Sequence, residues 1–499
     1  MTGKQDSRQT ISPAGIGARP RPEFGSSDEP SASGNNSFLQ IDGDFPTLSA
    51  NMKPQVIATT CLGLTLLTLN TGAESSWPRF RGATANGSVA DDPRLPVRWS
   101  ETENVLWKTE IRGLGWSSPV VTGNRVFLTG VYSEEDSANE QPKAGLYLGR
   151  GRQEIPKGTH HWLTYAVDLQ TGKIAWQKEA HQGRPAVGRH PKNTYASETP
   201  ATDGERLFVL FGDLGLYCYD LEGGLVWSNT IDPKQTLYDY GAAGSPIVHD
   251  GQVIVLYDNQ ETSYIASYDA RTGTETWRQP REEKSTWATP FIWEHDQRTE
   301  IITSGKQRIR SYDLKGSVLW EMDGRMSNLI IPSPFASHGM LYVTSGYFAD
   351  SHRPVYAIKP GANGDITLKE GETTNQFIAW YLPRGGPYNT SPLVHGDVYY
   401  TLLDRGMMSA NDARTGEELY DRERFPVGAS FTASPWAYNG RVFCLNEAGQ
   451  TYVLTAGRKF NLEHTNDLDG LCLATPAIVD GKLLIRTATQ LYCLTEMVR

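Results

Sequence analysis

The chain has 499 residues and a formal net charge of −10, so it lacks the basic surface of a phosphate-backbone binder, and nucleic acid is excluded as a partner. Its 49 glycines and 13 tryptophans suit many short strands joined by tight turns and argue against a helical protein.

The first segment, residues 1–51, is rich in serine, proline and glycine and has no apolar period. Such a segment cannot bury enough surface to offset the entropy lost on ordering, so it is predicted to be disordered. Met52 is a better candidate for the translation start, so residues 1–51 could also result from a mis-assigned upstream start codon.

Residues 52–73 have the pattern of a secretory signal peptide. One lysine precedes an apolar run over residues 56–69, and the segment ends in small residues at Ala73. The run is too short to favour a spanning helix, and an internal apolar strand is the alternative. We expect an exported protein, periplasmic or extracellular, with no membrane span after cleavage.

Eight hairpins follow along the rest of the chain. Each begins with Ser-Pro or Thr-Pro, continues as an apolar strand, turns at a glycine-containing pair and returns as a second apolar strand. The unit repeats about every 44 residues except at two insertions, and a unit of that length with four short strands is a propeller blade. The prolines are Pro119, Pro200, Pro246, Pro290, Pro334, Pro392, Pro435 and Pro476.

A second phrase occupies the outer half of most repeats, first as "AVDLQTGKIAW" at 166–176 and again as "SYDARTGTETW" at 267–277. Its aspartate caps a turn, its glycine takes the left-handed position, and its terminal aromatic ring can cover the seam with the next blade. The residues of this repeat are Asp168, Gly172, Trp176, Asp220, Trp227, Asp269, Gly273, Trp277, Asp313, Trp320, Asp412, Gly416 and Tyr420.

The eighth repeat lacks its outer strand, and a matching orphan strand with Trp107 lies at residues 104–111, before the first hairpin. Pairing the two would close the ring and remove an exposed sheet edge. We therefore predict an all-β, eight-bladed β-propeller of four-stranded antiparallel blades over residues 104–499, closed by this N-terminal strand and preceded by an extension over residues 74–103.

Cysteine pairing stays open at this point. An oxidising compartment permits disulfides, and three of the cysteines fall in the last two repeats, but single buried thiols are the alternative. The cysteines that remain after signal cleavage are Cys218, Cys444, Cys472 and Cys493.

The repeat phrase resembles the signature A-x-D-x-x-T-G-K-x-x-W of pyrroloquinoline quinone (PQQ) type propellers, over about residues 104–495. It is matched letter for letter by Ala166, Asp168, Thr171, Gly172, Lys173 and Trp176. Two branches share this signature: quinoprotein alcohol dehydrogenases, and cofactor-free propellers similar to the outer-membrane assembly lipoprotein BamB. The run "WPRFRG" at 77–82 also resembles exported bacterial proteins named only for PQQ-like repeats. The resemblance implies a fold, and fold alone does not carry chemistry.

A quinoprotein dehydrogenase would hold PQQ and calcium in the channel and cover the cofactor with a disulfide of adjacent cysteines, which this chain lacks. Loop oxygens that could serve calcium are those of Asn193, Glu198, Asn389 and Asp404. The adjacent His160 and His161 would face opposite ways on a strand, and His181 and His190 have no second pair of ligands at zinc spacing. We predict no metal and no cofactor, with PQQ and calcium as the alternative.

Candidate ligand-binding residues lie in the loops that lead into the innermost strands and in those beside the two insertions, because such loops can face the axis. Their basic character suggests an anionic or sugar-like ligand, and solvated loops packed on the neighbouring blade are the alternative. The candidates are Trp116, Arg184, Arg189, His190, Lys192, Asn193, Tyr195, Glu198, Trp287, Arg384, Tyr388, Asn389, Asp404 and Thr432.

The function predicted from these features is an exported, monomeric, non-catalytic propeller that binds or scaffolds a protein or a small anionic or sugar-like ligand. No nucleophile-elbow, P-loop or haem-attachment motif is present in the sequence. The alternative is a PQQ- and calcium-dependent quinoprotein dehydrogenase.

The export prediction fixes the mature N-terminus. Because a signal peptidase would cut after Ala73, N-terminal sequencing and intact mass of the native protein should show Glu74 as the first residue. A mature chain that keeps residues 1–51 would contradict it.

Overall fold

Residues 76–135, 142–145, 154–426 and 430–497 are described by the computed structural model, and they fold into eight sheets around one axis. The predicted all-β, eight-bladed propeller is confirmed. The helical element among these residues is one 3-10 turn, Leu237–Asp239, and they contain no helix long and apolar enough to cross a membrane. The predicted leader and signal peptide, residues 1–73, lie outside the described residues.

The strands follow the predicted hairpin order. The chain enters with β1 (Val105–Glu110). Blade 1 has β2 (Val120–Thr122), β3 (Arg125–Ser133), β4 (His160–Asp168) and β5 (Ile174–Gly183). Blade 2 has β6 (Ala201–Thr202), β7 (Arg206–Phe211), β8 (Gly215–Asp220) and β9 (Leu225–Thr230). Blade 3 has β10 (Ile247–His249), β11 (Gln252–Tyr257), β12 (Ser263–Asp269) and β13 (Glu275–Arg281).

The second half repeats the pattern with one added strand. Blade 4 has β14 (Phe291–His295), β15 (Arg298–Thr303), β16 (Ile309–Tyr312) and β17 (Val318–Met322). Blade 5 has β18 (Phe335–Ser337), β19 (Met340–Thr344), β20 (Val355–Ile358) and β22 (Ile378–Leu382), and the added strand β21 (Gly364–Asp365) lies in its insertion. Blade 6 has β23 (Leu393–His395), β24 (Val398–Leu403), β25 (Met407–Asp412) and β26 (Glu418–Arg424). Blade 7 has β27 (Trp436–Tyr438), β28 (Arg441–Leu445), β29 (Gln450–Thr455) and β30 (Leu462–Asp467), and blade 8 adds β31 (Ala477–Val479), β32 (Lys482–Arg486) and β33 (Gln490–Leu494).

The ring closes as predicted, because β1 is the outer strand of blade 8. It pairs antiparallel with β33, which sets Trp107 opposite Cys493 and Lys108 opposite Tyr492. The first and last strands of the propeller thus share one sheet, and the edge that an open blade would expose is covered.

A chain of backbone hydrogen bonds links the inner edges of the blades. In seven of the eight Ser-Pro or Thr-Pro pairs, the amide of the serine or threonine donates to the hydroxyl oxygen of the equivalent residue in the next blade, at 2.9–3.1 Å. The chain runs through Ser118, Thr199, Ser245, Thr289, Ser333, Ser391, Ser434 and Thr475. At the eighth seam the Ser118 hydroxyl is buried and has no hydrogen-bond partner among the described residues.

The outer seams are covered by tryptophans in a repeated geometry. The indole N–H of Trp227 in blade 2 donates to the Ala270 carbonyl of blade 3 at 3.0 Å, and its ring lies on Gly273 in the turn there. A Cβ on that glycine would come within 2.7 Å of the ring, so only glycine allows this contact. The same arrangement recurs at Trp107 on Gly172, Trp176 on Gly223, Trp277 on Gly316 and Trp380 on Gly416.

Blade 4 departs from this arrangement. Trp320 is fully buried, and its indole N–H donates to Glu300 of its own blade at 2.7 Å instead of reaching blade 5. Strand β21, from the insertion of blade 5, instead pairs parallel with β17 at the outer edge of blade 4. The predicted seam cover is therefore wrong at Trp320, because an inserted strand occupies that edge.

The N-terminal extension crosses one end of the channel. Trp77 bridges to Val121 of blade 1, and Pro78 accepts a hydrogen bond from Thr202 of blade 2. Three residues after Pro78, the Arg81 side chain donates to the Pro392 carbonyl of blade 6 at 2.6 Å. The segment therefore spans from blades 1 and 2 to blade 6. Burial lowers the pKa of Arg81 to about 9.

The described cysteines are all free and buried, namely Cys218, Cys444, Cys472 and Cys493. Burial raises the pKa of the Cys218 thiol to about 12. These side chains thus act as small apolar groups of the core, which was the alternative to disulfide pairing.

The seam geometry predicts an unequal response along one strand. Trp227→Ala should lower the free energy of unfolding by about 2 kcal/mol, because it removes an indole hydrogen bond and opens a void over Gly273. Leu225→Ala, on the same strand but 57% exposed, is the matched control and should unfold like the wild type. Equal melting temperatures for Trp227→Ala and the wild type would contradict the seam role.

Candidate functional site

A cavity of about 250 Å³ lies on the propeller axis, where the loops that precede the innermost strands converge. Its deeper wall carries seven of the eight residues of the inner hydrogen-bond chain, from Thr199 to Thr475, and Phe80 of the N-terminal extension also lines it. Each Ser-Pro or Thr-Pro pair thus both links two blades and contributes a small polar residue to the cavity wall.

Six aromatic side chains make up much of the rest of the wall: Trp116, Tyr240, Trp287, Tyr347, Phe348 and Tyr388. Two of them are held by indole N–H bonds to backbone carbonyls, Trp116 to Lys192 at 2.8 Å and Trp287 to Gly241 at 2.7 Å. Because these donors are already used, the indoles present apolar ring surface to the cavity.

One charged pair lies in the wall. Lys192 Nζ is 2.5 Å from Glu447 Oε1, and the Glu447 side chain is only 1% exposed. The same carboxylate accepts hydrogen bonds from the Thr432 hydroxyl and the Gly145 amide. Glu447 is therefore a fully engaged anion that holds the blade 1 loop against blade 7.

His190 lies beside this pair and is uncharged at neutral pH. Burial, followed by repulsion from Lys192 and Arg189, lowers the pKa of His190 to about 4. Its Nδ1 accepts the Lys192 amide hydrogen at 3.1 Å, which assigns the ring proton to Nε2. His190 therefore contributes a neutral imidazole to the cavity.

The remaining cavity residues predicted from the sequence are Asn193, Asn389, Asp404 and Thr432. The Asn193 amide donates to the carbonyls of Tyr240 and Ala242, so it ties together the loops that enter blades 2 and 3. Asp404 is 7% exposed, and burial raises the pKa of its carboxyl.

Five predicted residues do not line the axial cavity. Arg189 donates to the Asn193 carbonyl, and the Tyr195 hydroxyl donates to the Val187 carbonyl. Glu198 precedes an innermost strand as expected, but its side chain faces a separate small cavity. Arg384 is exposed on the loop that leads to Tyr388. Arg184, from the same candidate set, is likewise outside the cavity wall.

The separate small cavity has a volume of about 20 Å³ and is lined by two buried acids, Glu198 and Asp213. The Gly212 amide donates to Glu198, while one Asp213 oxygen is buried without a partner in the described residues. Burial raises the pKa of Glu198 to about 8 and that of Asp213 to about 7. At neutral pH a proton on this pair relieves the cost of two buried charges.

Sequence reasoning missed Tyr240, Tyr347, Phe348 and Glu447 in the cavity wall. Glu447 and Asp404 each lie 12 residues after the proline of their Ser-Pro pair, just past the second strand of the hairpin. That register was a usable signal for Glu447. The three aromatic residues lie in irregular loops, for which the repeat gave no register.

The residues present do not fit a PQQ and calcium centre. Among the described residues no three His, Cys, Asp or Glu side chains come together as metal ligands. In the cavity wall Glu447 is already engaged by Lys192, and Glu198 lies in the other cavity. We therefore derive no redox step for this cavity.

Comparison with known proteins identifies the family. The family model described as outer membrane protein assembly factor BamB matches residues 160–323 and 261–497, more than half of the chain, so the chain belongs to this family. No curated protein gives a significant sequence match.

Solved structures share the fold at low identity. A europium-containing methanol dehydrogenase matches at 10% identity and a TM-score of 0.51, over 83% of this chain and 90% of that one. The computationally designed Ika8 protein matches at 12% identity and a TM-score of 0.50, over 77% of this chain and 98% of that one. BamB from Moraxella catarrhalis matches at 13% identity and a TM-score of 0.45, over 74% of this chain and 99% of that one. At these identities the two matches with a TM-score of 0.50 or more show the fold alone.

The buried acids predict a stability that falls in alkali. The folded chain keeps protons on Glu198 and Asp213 that the unfolded chain has lost, so their contribution is complete below about pH 4 and is lost as pH rises through 7 to 8. Asp213→Asn should therefore gain about 1 to 2 kcal/mol over the wild type at pH 8.5 and little at pH 5. Thermal melts at both pH values test this, with the exposed Asp232→Asn as control; equal gains at both would contradict it.

Proposed function

We propose that this member of the BamB family is an exported, monomeric, non-catalytic propeller that binds a small sugar-like ligand in its axial cavity. The observation that carries the proposal is the six-membered aromatic wall beside a ring of serine and threonine residues. A sugar offers apolar C–H faces and hydroxyl edges, and aromatic rings with a few fixed polar groups complement both.

The state of the ionisable groups supports a binding role. A general base or nucleophile needs a lone pair or proton available to the substrate. Lys192 and Glu447 neutralise each other, and the Nδ1 of His190 is occupied by a backbone amide. These groups position the loops and leave the aromatic faces as the contact surface.

Protein docking is a second candidate function, favoured by the outer strand of blade 2. Strand β9 exposes Leu225 and Val226 at 57% and 48%, beside a backbone edge that pairs with β8 on one side only. A partner strand could add to this edge, because the free backbone groups and apolar side chains suit sheet extension.

The cavity proposal predicts a selective loss of binding. Calorimetry with a panel of monosaccharides and disaccharides should show one-to-one binding, and Trp287→Ala should weaken it at least about tenfold by removing the ring surface. Val318→Ala, 51% exposed on the outer strand of blade 4 and outside the cavity wall, is the control and should bind as the wild type does.

A titration with PQQ and Ca²⁺ tests the alternative function. We expect neither stoichiometric binding nor alcohol-dependent dye reduction. One-to-one PQQ binding with turnover, abolished by changing Asn389 or Asp404, would overturn the non-catalytic proposal.

A further inference from the structure

Two arginines are held side by side by the two loops of blade 5 that also carry Tyr347 and Tyr388 of the cavity wall. Arg353 and Arg384 are partners in a parallel bridge, in which the Arg353 amide donates to Pro383 and the Gly386 amide donates back to Arg353. Neighbouring like charges in paired strands repel each other, so the pairing alone disfavours this arrangement.

A third arginine approaches from blade 6. Arg422 has a φ of 51° inside β26, where the pairing with β25 shifts register, and its amide is held by the Ser409 hydroxyl at 3.0 Å. Left-handed backbone is uncommon for a residue other than glycine. After burial, repulsion from Arg422 and Arg384 lowers the pKa of Arg353, which places the three cations in one electrostatic cluster.

The cluster has few anions to balance it. The two carboxylates that act on Arg353 are Asp404, which is buried in the cavity wall, and Asp421, which lies 3.7 Å from Arg422. In the described part of the chain, Arg353 has no side-chain hydrogen bond or ion pair, and its Nε is buried without a partner. Three guanidinium groups therefore share two carboxylates.

The cluster is continuous with the cavity. Arg405 directly follows Asp404, and its guanidinium lies 3.9 Å from the centre of the Phe348 ring, which lines the cavity. Its Nε too is buried and unpartnered among the described residues. Arg384 precedes the cavity residue Tyr388 by four positions on the same loop.

We propose that Arg353, Arg384 and Arg422 bind the anionic group of the ligand while its sugar ring lies against the aromatic wall. The ligand class is then an acidic sugar, with a carboxylate or a phosphate as the anion. Guanidinium groups suit both, because their planar N–H donors match pairs of oxygens. This inference rests on the proposed function for the sugar ring, but the anion site can be tested separately.

The experiment compares an acidic sugar with its neutral counterpart. Glucuronate and glucose 6-phosphate, measured by calorimetry against glucose, should each bind at least about tenfold more tightly, and the stronger of the two identifies the anion. The double variant Arg384→Gln/Arg422→Gln should remove this preference and leave the affinity for glucose unchanged. Both side chains are exposed, so the variant should keep the fold.

The control variant removes the same charge elsewhere. Arg414→Gln/Arg458→Gln changes two exposed arginines in surface ion pairs with Asp397 and Asp412, and it should keep the preference for the acidic sugar. A loss of preference in this control as well would reduce the effect to net charge and overturn the proposal.

Inorganic phosphate tests the arginines without the sugar. It should raise the melting temperature of the wild type and of the control, and not of Arg384→Gln/Arg422→Gln. Equal stabilisation of all three proteins, or equal affinity for acidic and neutral sugars, overturns the anion site. If phosphate acts through these arginines but no sugar binds, the anion site stands and the proposed cavity function fails.

Discussion

The bond from a Ser-Pro or Thr-Pro amide to the hydroxyl of the next blade, formed at seven of the eight seams, is the interaction on which the propeller depends. Proline removes one backbone donor at the inner edge, and the preceding serine or threonine supplies both a donor and an acceptor toward its neighbours. The repeat from Ser118 to Thr475 therefore sets the spacing of the innermost strands. Because the entering loops are anchored to these strands, the same bonds fix the width of the cavity and bring distant loops together.

The outer seams are held by a different contact, a tryptophan ring on a turn glycine of the next blade, and the exception at blade 4 is informative. Tryptophan rings rest on turn glycines at five seams, whereas Trp320 is buried on Glu300 and β21 covers the edge of blade 4. The insertion that supplies β21 belongs to blade 5, whose other loops carry Tyr347, Phe348 and the Arg353–Arg384 bridge. A departure from the repeat on a rigid scaffold thus coincides with the residues best placed to select a ligand.

The sequence was sufficient to predict the blade count, the closing strand and the glycine turns, because each depends on local turn chemistry repeated eight times. It also placed Trp116, Trp287, Asn389 and Thr432 at the axis, since all four enter innermost strands in one register. Glu198 is one residue out of that register, since it lies two positions before Pro200 instead of three, and its side chain turns into the space beside Asp213. The pairing of Arg353 with Arg384 could not be predicted, because it joins two irregular loop segments with no repeat to align them.

The site has two parts, the axial cavity and the arginines on the blade 5 loops beside it, and this division explains how one site could combine affinity with selectivity. Inside the cavity Lys192, Glu447 and Asn193 are occupied by one another or by backbone, so a ligand meets mainly ring surface and small hydroxyl residues there. Ring surface discriminates weakly among sugars of similar shape. The Arg353 guanidinium has no side-chain partner among the described residues, and its N–H donors favour an anionic acceptor. Selection in such a site therefore depends on the charge of the ligand, whereas retention depends on its ring.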